Sequence, residues 1–207
     1  MKQKVDLETW VRKEHFNLFS TFDEPYYGVT VNIDCTKAYR YVKEKGMSFF
    51  LYSLYQSLAA AQVTEAFRYR IEDGEVFIYD QIDAGSTIGR SNGTFGFVHL
   101  LYAADLTSFM KNASREVEQV KNADTLVRSP ANNVIRFSSL PWINFTSISH
   151  AGNSLFKDTC PKISFGKMTE NNGRRTMPMS VHVHHALVDG LHVGQFIDCF
   201  QALMDQH

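Results

Sequence analysis

Apolar positions along the chain recur with two periods, one near 3.6 residues and one of two, and their succession sets the order of elements. In residues 6–19, Leu7, Trp10, Val11, Leu18 and Phe19 recur between charges, a helical spacing with Asp6 as its N-cap. Residues 27–33 read as a strand. Residues 48–66 are apolar round most of a helical circumference, with Phe49, Phe50, Leu51, Leu54, Leu58 and Ala59, which predicts a buried helix opened by Ser48. Residues 67–71 and 76–79 form two strands about Glu72-Asp73-Gly74-Glu75, because Asp-Gly supplies the positive-φ positions of a tight hairpin turn. An amphipathic surface helix is predicted over 104–120, and a strand over 134–148 with an interruption at Pro141. Residues 163–168 and 176–186 pair as a hairpin across 169–175, whose Asn172-Gly173 again marks the turn. A helix closes the chain, with Phe196, Phe200, Leu203 and Met204 on one stripe. Mixed elements without regular βαβ alternation predict an α+β fold, helices layered on a largely antiparallel or mixed sheet.

Composition narrows this picture. At 207 residues with 44% hydrophobic content, without internal repeats, low-complexity segments or a Gly/Pro-rich linker, the chain is expected to form one domain over 1–207. Lys plus Arg number 21 against 22 Asp plus Glu, so no net field gathers nucleic acid or an anionic membrane surface, and neither is expected as a partner. The opening Met-Lys-Gln-Lys-Val-Asp-Leu-Glu lacks the apolar core of a signal peptide, and no later stretch approaches the roughly 18 apolar residues of a membrane span. A soluble, cytoplasmic protein is the expectation. Cys35, Cys160 and Cys199 are odd in number and widely spaced, which fits buried free thiols better than a disulfide framework. The 16 Phe and 9 Tyr suit a dense core or aromatic-lined pockets.

The densest chemical signal is Val181-His182-Val183-His184-His185-Ala186-Leu187-Val188-Asp189-Gly190-Leu191-His192, which holds four of the eight histidines. Extended geometry places Val181, Val183 and His185 on one face and His182 and His184 on the other. Three readings fit: a histidine-rich surface strand; a metal site using His182 and His184, which lacks paired cysteines nearby; or acyl transfer with His185 as a base. Spacing alone leaves all three open.

A resemblance separates them. His184 to His192 resembles the signature His-His-Ala-Val-Cys-Asp-Gly-Phe-His of the chloramphenicol acetyltransferase family, and shares His-x-x-x-Asp-Gly with the acyltransferase domains of 2-oxoacid dehydrogenase complexes. Trp10-Val11-Arg12-Lys13-Glu14-His15-Phe16 resembles that family's N-terminal Trp-x-Arg-[Arg/Lys]-Glu-His-Phe helix. Ser138-Ser139-Leu140-Pro141-Trp142-Ile143-Asn144-Phe145, Asp73-Gly74-Glu75 and Met177-Pro178-Met179-Ser180 are further matches in the same order. The resemblance runs from about residue 6 to the C terminus.

What it implies is a chloramphenicol acetyltransferase-like fold and an acetyl-CoA-dependent O-acetyltransferase, with chloramphenicol or a similar small hydroxyl compound as acceptor. The alternatives are an acyltransferase for a different hydroxyl acceptor and a catalytically silent small-molecule-binding homologue. His185 is then the general base, Asp189 orders the site by pairing with Arg12, Ser138 steadies the oxyanion and Ser164 stands where the family uses a Thr. Trp142 and Lys167 fall at coenzyme positions, Phe19 and Tyr27 at acceptor positions. Acetyl-CoA is a co-substrate and no metal is required. The resemblance also implies a homotrimer with interfacial sites, one subunit giving His185 and its neighbour much of the pocket, including the Phe19 region. Departures are His182 for the family's Gln, Val188 for its Cys, Leu191 for its aromatic, and a rewritten, shorter segment from Ser86 to Phe95 on the acceptor side.

Overall fold

The computed structural model describes residues 1–152 and 158–207. In chain order the first half runs β1 (Lys2–Lys4), α1 (Lys13–Phe19), β2 (Tyr26–Asp34), α2 (Thr36–Glu44), α3 (Phe49–Val63), β3 (Tyr69–Glu72), β4 (Glu75–Tyr79), β5 (Asp83–Gly89) and β6 (Phe95–Leu100). The second half runs α4 (Leu106–Lys121), β7 (Val134–Ser139), β8 (Lys162–Phe165), β9 (Thr169–Asn171), β10 (Arg174–His184) and α5 (Gly190–Met204).

Local chemistry explains most boundaries. Ser48 Oγ accepts from Leu51 N–H, and Asp105 Oδ1 from Ser108 N–H at 2.8 Å, which caps α3 and α4. Asp73 and Gly74 (φ 51° and 81°) and Asn172 and Gly173 (φ 50° and 79°) are the positive-φ pairs of two-residue turns. They set the registers Glu72 opposite Glu75 and Asn171 opposite Arg174.

Several expected boundaries move. The helix read from Asp6 begins at Lys13 instead. Asp6 uses its carboxylate to close a turn on Glu8 N–H and Thr9 Oγ1, while Leu7 and Trp10 still reach the core. The helix read over 48–66 ends at Val63, and Glu65–Arg68 is a short 3-10 turn. The strand read over 134–148 stops at Ser139, because Leu140 N–H turns to Phe165 O and Ile143 N–H to Leu140 O. The strand read to Met168 stops at Phe165, and β9 makes the tight pairing with β10. The strand read to Ala186 ends at His184.

Among the described residues β1, β4 and β3 form a small sheet, and the large sheet runs β2-β10-β8-β7-β5-β6 with β9 on β10. β7 lies parallel to β8 and β5, and the other pairs are antiparallel, so the sheet is mixed and the fold α+β. One face is apolar: Ile135, Phe137, Ile163, Phe165, Met179, Val181 and Val183 are buried at alternate positions. Against it pack α3, almost wholly buried, and α5 through Phe196, Phe200 and Met204. The opposite face carries a row of hydroxyls in register, Thr30 beside Ser180, Ser180 beside Ser164, and Ser164 beside Ser138. Arg70, 1% exposed, joins the two sheets by donating to the carbonyls of Phe67, Tyr69, Asn132 and Val134 at 2.6–2.9 Å. No described helix is long and apolar enough to cross a membrane. Cys35 and Cys160 are buried and Cys199 half-buried, all three as free thiols.

Candidate active site

β10 delivers His185 to the mouth of a tight turn. Its backbone N–H donates to Pro25 O at 2.8 Å, and Leu187 and Val188 N–H turn back to His184 O. Asp189 then caps α5, accepting from Leu191 N–H, while its own N–H goes to His192 Nδ1 at 3.2 Å. This reciprocal box leaves the other Asp189 oxygen, Oδ2, for Arg12 Nη1 at 2.5 Å. Arg12 Nη2 reaches His185 O at 3.4 Å, so residues 177 and 173 positions apart along the chain fix one turn. Burial opposes ionisation of Asp189, but the Arg12 hydrogen bond and the charges of His192 and Arg12 outweigh it and hold the carboxyl below its ordinary value.

Aromatic rings grip the imidazole. Phe19, the last residue of α1, stacks on His185 with centroids 3.8 Å apart and planes 6° from parallel. Tyr27 tilts against the same imidazole at 4.6 Å. Burial, with the Asp189 charge behind it, pushes the Tyr27 phenol up to about 12. His185 Nδ1 and Arg12 Nε are enclosed without a hydrogen-bond partner among the described residues. The expectation that the Phe19 region faces His185 from a neighbouring subunit is corrected here: Phe19 of the same chain covers that ring.

The neighbouring histidines face elsewhere. His184 is buried, its Nδ1 accepting from Ala186 N–H and its ring edge-on to Tyr26. His182 Nδ1 lies 3.0 Å from Ser180 Oγ, its ring covers Gly28, and His150 meets it edge-on at 4.7 Å. A Cβ on Gly28 would fall 2.3 Å from that ring, so a side chain there would push the His182 ring from this position. Burial holds His182 below its usual value and His150 down to about 4. The two histidines that a shared metal would need therefore turn to different neighbours.

The remaining predicted residues gather across the sheet from the middle of β10. Ser138 sits half-buried near the end of β7 beside fully buried Ser164, whose Oγ has no hydrogen-bond partner among the described residues. Trp142, 79% exposed, follows in the turn after β7. Lys167, also exposed, follows β8, and its N–H donates to Ile143 O at 2.8 Å, which holds the two loops together. Gly166 permits this contact, since a Cβ there would lie 2.5 Å from Pro178 Cγ and 2.9 Å from Ile143 O.

Register gives the separation of the two groups. Ser138 is level with Ser164 and Ser180, and His185 lies five residues beyond Ser180, about 17 Å along the strand and two strand spacings away. One chain thus brings together His185, Asp189, Arg12, Phe19 and Tyr27, and separately Ser138, Ser164, Trp142 and Lys167. His192 was not singled out in the sequence, although its place three residues after Asp189 is the spacing of a capping box. The rewritten segment from Ser86 to Phe95 forms the ends of β5 and β6 and their turn, where Arg90 N–H meets Thr94 O and Phe95 is 49% exposed.

Known proteins resemble this chain in sequence and fold. A family model described as chloramphenicol acetyltransferase matches residues 2–201. The chloramphenicol acetyltransferase of Proteus mirabilis is 31% identical over 206 residues, covering 98% of this chain and 94% of that one. Chloramphenicol acetyltransferase 3 of Escherichia coli is 29% identical, with 97% and 95% covered. A solved chloramphenicol acetyltransferase superposes with a TM-score of 0.91 at 32% identity, over 99% of this chain and all of that one. A probable dihydrolipoamide acetyltransferase from Listeria monocytogenes shares the fold alone, with a TM-score of 0.70 at 13% identity, covering 93% and 89%. With a family match over nearly its whole length and relatives of this likeness, the chain belongs to the chloramphenicol acetyltransferase family of acyltransferases.

Proposed function

We propose that this protein is a cytoplasmic, single-domain O-acetyltransferase that moves an acetyl group from acetyl-CoA to a hydroxyl of chloramphenicol or a similar small molecule. The observation that carries this reading is the fixed pose of His185, stacked on Phe19 and tied through its carbonyl to the Arg12–Asp189 pair. A base held in one orientation suits proton transfer from a bound hydroxyl.

In this reading the acceptor hydroxyl gives its proton to His185 Nε2 as its oxygen attacks the thioester carbonyl. The oxyanion accepts from Ser138, with Ser164 assisting through water. Collapse breaks the carbon–sulfur bond, and the departing sulfur takes the proton from His185. Phe19 and Tyr27 line the acceptor pocket, and Trp142 and Lys167 the coenzyme path. None of these steps uses a metal.

The separation between His185 and Ser138 supports a site shared by two chains. A contact in which each subunit offers His185 to one neighbour and Ser138 to the other closes as a ring, and we take that ring to be a homotrimer. Thiol release from acetyl-CoA in the presence of chloramphenicol tests the acceptor, and a chain that binds chloramphenicol without releasing thiol is a silent homologue. Mixing tests the assembly. His185→Ala and Ser138→Ala chains are each inactive, and after subunit exchange at equal amounts about one quarter of sites regain both groups in a random trimer. Mixed trimers seen by native mass spectrometry without recovered activity would overturn the shared site.

A further inference from the structure

The far edge of the large sheet aligns three side chains that transfer at His185 does not use. Asp83 begins β5 with its side chain 5% exposed. Its Oδ1 accepts from Tyr102 N–H at 2.9 Å and Gln81 Nε2 at 3.2 Å, and its Oδ2 from Asn133 Nδ2 at 2.9 Å. Burial works against its ionisation, but these donors and His99 prevail and hold the carboxyl below its usual range. A buried, ionised carboxylate thus sits at the base of the group.

His99, on the adjacent strand β6, turns Nε2 toward it. The distance to Asp83 Oδ2 is 3.5 Å, outside hydrogen-bonding geometry in the resting chain yet close enough to form an ion pair once the ring takes a proton. The other nitrogen, Nδ1, lies 3.1 Å from Ser129 Oγ. Ser129 is half-buried in the loop between α4 and β7, and its Oγ also receives Ala131 N–H at 3.3 Å across Pro130. Hydroxyl, imidazole and carboxylate stand in series, the arrangement in which a base takes the hydroxyl proton and its own new charge is met from behind. A tether for this loop would need only the serine–histidine contact; the ionised carboxylate at the far nitrogen is what proton transfer adds. Resting distances in such relays are often long and tighten when substrate binds.

We propose that Ser129 is a nucleophile activated by His99 and Asp83, and that this edge of the sheet is a second acyl-transfer site, acting on small carboxylic esters. Leu126 and Val127, 61% and 69% exposed just before Ser129, favour an apolar acyl group. Ser129 Oγ bonds to the ester carbonyl carbon as its proton passes to His99 Nδ1. The bond to the leaving oxygen breaks and that oxygen takes the proton. Water then adds to the acyl-serine, again giving a proton to His99, and the carboxylic acid leaves as Ser129 recovers its hydrogen.

The test uses full-length protein carrying His185→Ala, so that the site described above contributes nothing. The probes are p-nitrophenyl butyrate and an aryl fluorophosphonate; in the latter, Ser129 oxygen displaces fluoride from phosphorus. The expected result is one label per chain, mapped by peptide mass spectrometry to Ser129, absent in Ser129→Ala and at least 100-fold slower in His99→Gln, with ester hydrolysis falling in parallel. Circular dichroism checks that each variant is folded. Should His99→Gln unfold, the folded parent is compared with the same chain in urea, where an activated Ser129 labels at least 100-fold more slowly. Absence of label at Ser129, a His99→Gln rate within threefold of the parent, or equal labelling folded and unfolded each overturns the proposal.

Discussion

The two regions flanking β10, one at its C-terminal end and one across the sheet from its middle, are built on opposite plans. Around His185 the chain completes its own surroundings: a stacked ring, a tilted phenol, a short ion pair and a capping box converge on one turn. Around Ser138 it leaves a half-covered hydroxyl row, an exposed indole and an exposed ammonium. The first region ties reactivity to folding, because its residues hold one another. The second separates them, since Trp142 and Lys167 support little of the chain that carries them. A substitution should therefore be felt twice in the first region and once in the second.

The sharpest test compares the reactive groups themselves. Under the proposed mechanism His185→Ala lowers turnover by about 100- to 10,000-fold, and Ser138→Ala by about 100- to 1,000-fold. Ser138→Ala leaves the melting temperature unchanged, whereas His185→Ala lowers it slightly through loss of the Phe19 stack. Equal thermal effects would erase the contrast.

A smaller effect is expected at the pair behind His185. Arg12 side-chain exposure is 10% and that of Asp189 31%, between a buried and a surface ion pair, so Asp189→Asn or Arg12→Val is expected to cost roughly 1–3 kcal/mol of stability together with activity. Because the Asp189 carboxyl is held below its ordinary 3.8, its contribution is complete above that pH and is lost as the pH falls through the lower folded value. Urea titrations of parent and Asp189→Asn chains should therefore differ at pH 7 and converge in strong acid. Curves that stay equally separated at both pH values contradict the pairing.

The mildest change belongs to the open region. Trp142→Ala should raise the KM for acetyl-CoA about three- to tenfold, leave kcat within about twofold, and shift stability by less than about 0.5 kcal/mol. Initial-rate kinetics with both substrates varied give the split, and a fall in kcat alone speaks against a coenzyme wall.

Sequence pattern revealed the reactive turn better than its surroundings. The histidine run and the two Asx-Gly turns are local signals, and the hairpins stand where those signals put them. Asp6 misled because an Asx turn and an N-cap use the same carboxylate geometry, and β-pairing of Val5 N–H to Val76 O pulls the preceding residues away from a helix. α2 went unread since its inward face is short, with Ala38 and Val42 buried and Tyr41 packed beside them. β5, running Asp-Ala-Gly-Ser-Thr-Ile-Gly, has too little apolar alternation to announce a strand, and it is held by neighbours on both sides. The Phe19–His185 stack and the Asp83–His99–Ser129 series join distant positions with no motif between them. Only a fold puts such residues side by side.

Arg70 carries a further consequence. Its buried guanidinium donates to carbonyls of both sheets, Tyr69 in β3 and Val134 in β7, so neither sheet can detach without breaking these charge-assisted hydrogen bonds. The small sheet therefore cannot serve as an independently melting flap. The N-terminal segment that carries Arg12 and Phe19 to His185 should exchange its protected amides with deuterium only at the rate of whole-molecule opening, which makes the site's assembly as cooperative as the fold itself.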